Sequence, residues 1–110
     1  MHDTKWEDML CRQIELHGLP KPERESKIIP KRQFRYDLCW PEHKLVVEVQ
    51  GSTWVAGRGH SSGVGIKRDA EKLNLAVLEG YYEMQFVADH IKSGKAIYWL
   101  QQFFNNSKGE

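Results

Sequence analysis

Residues 34–51 read Phe34-Arg35-Tyr36-Asp37-Leu38-Cys39-Trp40-Pro41-Glu42-His43-Lys44-Leu45-Val46-Val47-Glu48-Val49-Gln50-Gly51. Alternation puts Phe34, Tyr36, Leu38 and Trp40 on one face of a strand and Arg35, Asp37 and Cys39 on the other. Pro41 to Lys44 make a turn. Leu45 to Gln50 form a second, nearly continuous apolar strand that stops at Gly51. If the turn is the whole hairpin loop, Trp40 pairs with Leu45 and Leu38 with Val47. Asp37 then lies directly opposite Glu48.

Helices flank this hairpin. Upstream, Trp6, Met9, Leu10, Cys11 and Ile14 recur at helical spacing within Thr4–His17. Thr4 and Glu7 fit a T-x-x-E capping box, and Gly18 supplies the stop. Residues 19–32 are rich in proline and charge, with Lys27-Ile28-Ile29 as a short strand. Downstream, residues 51–65 hold five of the nine glycines, a functional or mobile loop by length and composition. A second helix over Ile66–Glu79 turns Ile66, Ala70, Leu73, Ala76 and Val77 inward and ends at Gly80. Tyr82, Met84 and Phe86 alternate as a strand. A last helix carries Ala96, Ile97, Leu100, Phe103 and Phe104, capped at Ser93, and the polar residues 105–110 are expected to fray. The order is α-β-β-β-α-β-α: an α/β chain, one domain over 1–110, with a mixed sheet. The connection from the Glu48 strand to the Tyr82 strand is a βαβ crossover, so those two strands run parallel, with the right-handed connection such units adopt.

Two carboxylates opposed across a hairpin have Cβ atoms about 5 Å apart, and like charges there are destabilising. Glu48 also interrupts an apolar run, where an ionised side chain costs several kcal/mol without a partner. A divalent cation removes both difficulties, and Asp and Glu oxygens suit Mg²⁺ or Mn²⁺. Gln50 shares the Glu48 face, roughly 6.6 Å along the strand, where its amide can orient water or touch a phosphate. The alternative is a wet sheet face on which Asp37 pairs with Arg35 or Lys44. The residues alone leave both open.

Composition narrows the function. The chain has 110 residues, 16 Lys+Arg and 15 Asp+Glu, a formal charge of +1, with 40% hydrophobic and 28% charged residues. That is globular composition for one core, with no apolar run near the ~20 residues that span a bilayer. Met1 to Glu7 lack an apolar signal core, so a cytoplasmic location is expected. Cys11 and Cys39 form no CxxC pair and read as reduced, half-buried thiols rather than zinc ligands. The near-neutral total excludes a non-specific polybasic binder but hides a distribution. Residues 21–35 carry six basic residues against Glu23 and Glu25, a local +4. Residues 55–72 carry Arg58, Lys67, Arg68 and Lys72 against Asp69 and Glu71, a local +2.

Taken in order, Glu7-Asp8-Met9-Leu10 with Gly18-Leu19-Pro20, then Phe34-Arg35-Tyr36-Asp37, Leu45 to Gly51, Asp69-Ala70-Glu71-Lys72-Leu73-Asn74 and Gly80-Tyr81-Tyr82, the chain resembles the PD-(D/E)XK nuclease superfamily. Within it, the likeness is to small stand-alone domains similar to very-short-patch-repair endonucleases. The resemblance implies a restriction-endonuclease-like core and Mg²⁺- or Mn²⁺-dependent hydrolysis of DNA phosphodiester bonds. Asp37 and Glu48 match the metal-binding acids, with the Val49 carbonyl as a further ligand. The superfamily's lysine falls at Gln50, and Lys72 on the following helix is the candidate to supply the missing charge. Asp69, Glu71 and Lys72 also read as a solvated helix face. Glu7 resembles the acid that members carry on the first helix, a role that competes with its capping box.

Other residues follow from position. His60 in the glycine-rich loop can activate or position water at near-neutral pH. Arg35, Arg58, Lys67 and Arg68 are the expected nucleic-acid contacts. Trp54 either stacks on a base or anchors the loop. His17 and His43 read as structural. Target recognition falls to the 51–65 loop, a homodimer or a partner protein. Two other classes predict different behaviour. A degenerate nuclease fold would bind nucleic acid without turnover. A protein-interaction domain would use Trp6, Trp40, Trp54 and Trp99 in cores or interfaces and would not bind DNA.

Overall fold

A computed structural model of the chain describes residues 4–50 and 63–108. Its elements are α1 (Lys5–Leu16), β1 (Glu23–Ser26), β2 (Tyr36–Trp40), β3 (Leu45–Gln50), α2 (Gly63–Leu78), β4 (Tyr82–Val87), α3 (Ala88–Ser93) and α4 (Lys95–Lys108), with a short 3-10 turn over Pro41–His43. The sheet order is β1-β2-β3-β4. The pairs β1–β2 and β2–β3 are antiparallel, and β3–β4 is parallel. This is the mixed α/β sheet, with its α2 crossover, that the sequence predicts. The hairpin register agrees as well: Trp40 faces Leu45 and Leu38 faces Val47.

Two glycines end their helices for the same physical reason. At Gly18 (φ 70°) the Leu19 amide donates to the Ile14 carbonyl at 3.1 Å and the Gly18 amide to Glu15 at 3.1 Å. At Gly80 (φ 88°) the Tyr81 amide donates to Ala76 at 2.9 Å and the Gly80 amide to Val77 at 2.9 Å. Both are Schellman closures, which need a left-handed residue that glycine adopts without a Cβ penalty.

Each face of the sheet is covered. On one side Leu38, Trp40, Leu45, Val47 and Phe86 pack with Leu10 and Ile14 of α1, Ile91 of α3, and Ala96, Ile97, Leu100 and Phe104 of α4. On the other, Phe34, Tyr36, Cys39 and Val46 pack with Ile29 and with Ala76 of α2. The Trp40 indole donates to the Pro20 carbonyl at 2.7 Å, fixing the chain between α1 and β1. Cys39 is buried and Cys11 half-buried, both as free thiols.

Several expectations are corrected. The first strand is the charged Glu23–Ser26, not residues 27–29, while Ile28 and Ile29 go to the second apolar cluster. As an edge strand it needs no apolar alternation. Tyr36 does not share a cluster with Leu38, because the β2–β3 ladder is interrupted at Asp37 and the alternation breaks there. Helix α2 begins at Gly63 and buries Ala76 with half-buried Leu75, leaving Ile66, Leu73 and Val77 exposed. A separate helix, α3, precedes Gly94 (φ 85°), and α4 starts at Lys95, whose amide donates to the Ser93 hydroxyl at 3.4 Å. The tail expected to fray from residue 105 is helical as far as Lys108.

Candidate active site

The paired register of β2 and β3 runs to Leu38–Val47. One step further, side chains take the ladder's place. The Asp37 amide donates to Glu48 Oε2 at 3.0 Å, and the Val49 amide donates to Asp37 Oδ2 at 2.7 Å. The two acids thus sit together where the sequence register puts them, each tied to the other's strand. Backbone donors stabilise the ionised form of a carboxylate. Beyond Leu38, Phe34 and Tyr36 pack with Ala76 of α2.

Lys72 completes this side. Its ammonium contacts Glu48 Oε1, donates to the Arg35 carbonyl at 2.8 Å and lies 4.7 Å from the centre of the Tyr36 ring. The Tyr36 hydroxyl in turn donates to the Lys72 carbonyl at 2.8 Å. Tyr36 therefore holds α2 at the residue whose side chain reaches Glu48. Lys72 and Glu48 are 13% and 14% exposed, so their attraction is weakly screened. Burial pushes the Glu48 carboxyl above the ordinary range, and the Lys72 ammonium opposes that shift. Burial also pushes the Tyr36 hydroxyl up to about 12, which keeps it a neutral donor.

On the opposite side of Asp37 are Glu7 and Glu25. One carboxylate oxygen from each of Glu7, Glu25 and Asp37 lies within 4.8 Å of the others. Glu7 is only 3% exposed and forms no capping box: Thr4 makes no side-chain cap and donates instead to Asp8 Oδ2 at 3.2 Å. The helix turns Glu7 inward, so its carboxylate is spent on β1 rather than on the helix end. Arg24 Nε donates to Glu7 Oε2 at 2.7 Å and Nη2 to Asp8 Oδ1 at 2.5 Å. Burial raises Glu7 from 4.5 to about 7, with Arg24 pulling down and a hydrogen bond and charge from Glu25 pushing up.

Sequence reasoning missed Glu25 and Arg24 as site residues. Glu25 has φ 54°, a left-handed conformation uncommon for a residue with a side chain. Adjacent strand residues normally point to opposite faces, yet Arg24 and Glu25 both reach Glu7. The kink at Glu25 accounts for that convergence. The register Arg24–Leu38 and Ser26–Tyr36 sets Glu25 opposite Asp37. A correct placement of the first strand would have exposed the pairing, but Glu-Arg-Glu-Ser carries no apolar period.

The remaining candidates spread outward. Gln50 is exposed at the end of β3, and the Arg35 side chain is exposed beside the carbonyl that Lys72 uses. Lys67 and Arg68 are exposed on α2, with Arg68 at 5.7 Å and Arg32 at 4.5 Å over the Phe34 ring. Trp54, Arg58 and His60 lie outside the described residues. His17 Nδ1 lies 2.8 Å from the Gln13 carbonyl and His43 packs edge-on to Phe104, as structural residues do. Among the described residues no helix is long and apolar enough to cross a membrane.

No protein-family model matches the chain, and no curated protein matches it. A solved structure does: the catalytic domain of the homing endonuclease I-Bth0305I superposes with a TM-score of 0.68 at 13% identity, over 92% of this chain and 94% of that one. At that identity the likeness establishes a shared fold across nearly the whole length of both chains.

Proposed function

We propose that the protein is a divalent-metal-dependent nuclease that hydrolyses DNA phosphodiester bonds. The observation that carries this reading is the convergence of Glu7, Asp37, Glu48 and Lys72 from α1, β2, β3 and α2 at one interruption of the sheet. The fold shared with a homing endonuclease catalytic domain supports it.

The residues fit a hard cation. Three carboxylates within 4.8 Å of one another, one of them buried and raised to about 7, hold more negative charge than Arg24 offsets. Oxygen donors of this kind suit Mg²⁺ or Mn²⁺. Asp37 and Glu48 would hold it with the Val49 carbonyl, as the sequence resemblance implies, and Glu7 and Glu25 extend the donor set on the α1 side. When bound, such a cation supplies Lewis acidity toward the scissile phosphate and toward water.

The protein's own groups do the rest. Lys72 is held by Glu48, the Arg35 carbonyl and Tyr36, so its ammonium is a fixed positive charge for the phosphoryl oxygens. It takes the part that Gln50, exposed and uncharged, does not fill. Gln50 is left to orient water, with His60 a second candidate for that task. Arg35, Arg58, Lys67 and Arg68 would contact the DNA backbone and set a salt-dependent affinity.

The test is cleavage of plasmid, single-stranded and branched DNA with Mg²⁺, Mn²⁺ or EDTA. Wild type cuts at least one substrate with metal and none with EDTA, and Asp37→Ala falls to background. Lys72→Met loses about 10²- to 10³-fold in rate, the scale of removing one preorganised donor to a transition-state oxygen. No cleavage by wild type in any metal, or equal cleavage by Asp37→Ala, would sink the reading. Metal-independent, salt-sensitive DNA binding without turnover would favour the degenerate binding module, the reading that Gln50 supports.

A further inference from the structure

Beside the acid group, α1 and the chain leading into β1 border a half-open cavity of about 580 Å³. Cys11, Leu19 and Pro22 form its apolar wall, while Arg12, Lys21 and Arg24 outnumber Asp8 and Glu15 among its charged lining residues. Its volume lies within the range of small-ligand sites, and its lining is half apolar and half charged. Arg24 belongs to both places: it lines the cavity and donates to Glu7, so the cavity adjoins the proposed catalytic centre. Arg24 is engaged by Glu7 and Asp8, whereas Lys21 forms no hydrogen bond or ion pair among the described residues and Arg12 is exposed.

We propose that this cavity is a subsite for one unpaired nucleotide of the substrate strand, its base against Cys11, Leu19 and Pro22 and its phosphate against Arg12 and Lys21. The assignment rests on the nuclease reading, because the strand it seats is the one whose phosphodiester reaches Asp37. A concave apolar wall accepts the face of a base only when that base is out of its stack. A paired base inside a duplex keeps both faces covered by its neighbours. Base stacking on apolar and aromatic surface is tolerant of sequence, and lysine and arginine add affinity through the backbone. The subsite therefore selects for local strand opening rather than for a base sequence. It gives a domain of 110 residues a means of choosing substrates by structure.

The experiment measures binding in EDTA at low salt, by fluorescence anisotropy of a labelled single-stranded oligonucleotide and of a blunt duplex. Wild type binds the single strand more tightly, and dAMP competes where the same concentration of inorganic phosphate does not. Leu19→Asn, which makes the wall polar without changing charge, and the surface double variant Arg12→Glu/Lys21→Glu each weaken single-strand binding at least tenfold. Leu19→Asn leaves duplex binding within twofold of wild type. Circular dichroism melts confirm that both variants fold. Unchanged single-strand binding by Leu19→Asn, or equal competition by phosphate and dAMP, overturns the subsite. Cleavage assays separate the two readings. Wild-type cleavage with unaltered Leu19→Asn binding removes the subsite and leaves the nuclease. The predicted binding losses without cleavage in any metal remove the nuclease and leave a strand-binding cavity.

Discussion

Glu7 shows how one residue's environment becomes a measurable property. Its carboxyl keeps a proton to about pH 7 in the fold, against 4.5 as an ordinary glutamate. Between those values the folded state carries the extra proton. Its contribution to stability is therefore complete below pH 4.5, falls as pH rises and is gone above about pH 7. In EDTA, wild type should lose stability from this group between pH 5 and pH 8, on the order of 2 kcal/mol. Glu7→Gln, which cannot titrate, should show a flatter profile by urea denaturation at the two pH values. Equal slopes for the two proteins would mean that Glu7 is not held in its buried, protonated form. The same residue marks a limit of sequence reading. A threonine three positions before a glutamate is a sound capping signal, and only the packing of α1 on β1 shows that the glutamate has gone elsewhere.

At the scale of elements, α2 does two jobs: it covers one face of the sheet and delivers Lys72. The face that packs is set by Leu75 and Ala76, not by the more apolar Ile66, Leu73 and Val77. Spacing favours the Ile66–Val77 stripe, since Arg68, Asp69 and Lys72 precede Leu75 on the face that packs, and the decision lies with what the sheet presents. Tyr36, Cys39 and Val46 leave room for a small residue over them, and Ala76 is fully buried there. Ala76→Leu should then cost about 1–3 kcal/mol by overpacking and lift Lys72 away from Glu48. Cleavage should fall with it. Val77→Lys, on the outward stripe, should leave stability within about 0.5 kcal/mol and cleavage unchanged. Thermal melts and initial rates of the two variants decide it, and the reverse pattern would mean that α2 packs on its other stripe. The register of the β2–β3 hairpin, by contrast, was legible, although Phe34 and Tyr36 leave the face their alternation predicts. Its alternation and turn specify a register that the structure reproduces, because a one-residue slip would expose every core side chain.

For the whole molecule, the proposed cation site would make folding and cation binding a single equilibrium. A ligand that binds only the folded state stabilises it by about 2.7 kcal/mol at 100 times its dissociation constant. Mn²⁺ should therefore raise the melting temperature in a saturable way, and Asp37→Asn should abolish the rise while still folding. A rise of equal size in Asp37→Asn would place the ion elsewhere. Salt should weaken DNA binding as well, despite a formal charge of +1, because the positive charge is concentrated in residues 21–35 and 55–72.

The sequence by itself determined the α/β class, the hairpin and its register, the glycine helix ends and the pairing of Asp37 with Glu48. Each of these rests on local periodicity, turn chemistry or short-range pairing, which a chain carries in its own order of residues. Tertiary structure alone decided that Glu25 and Arg24 join Glu7, that α2 turns Lys72 onto Glu48, and that a cavity opens beside them. Those contacts link residues 17 to 24 positions apart through a polar edge strand and a helix whose apolar stripe is not the face that packs. Neither carries a period that fixes its partner, so the choice waits for the sheet to form.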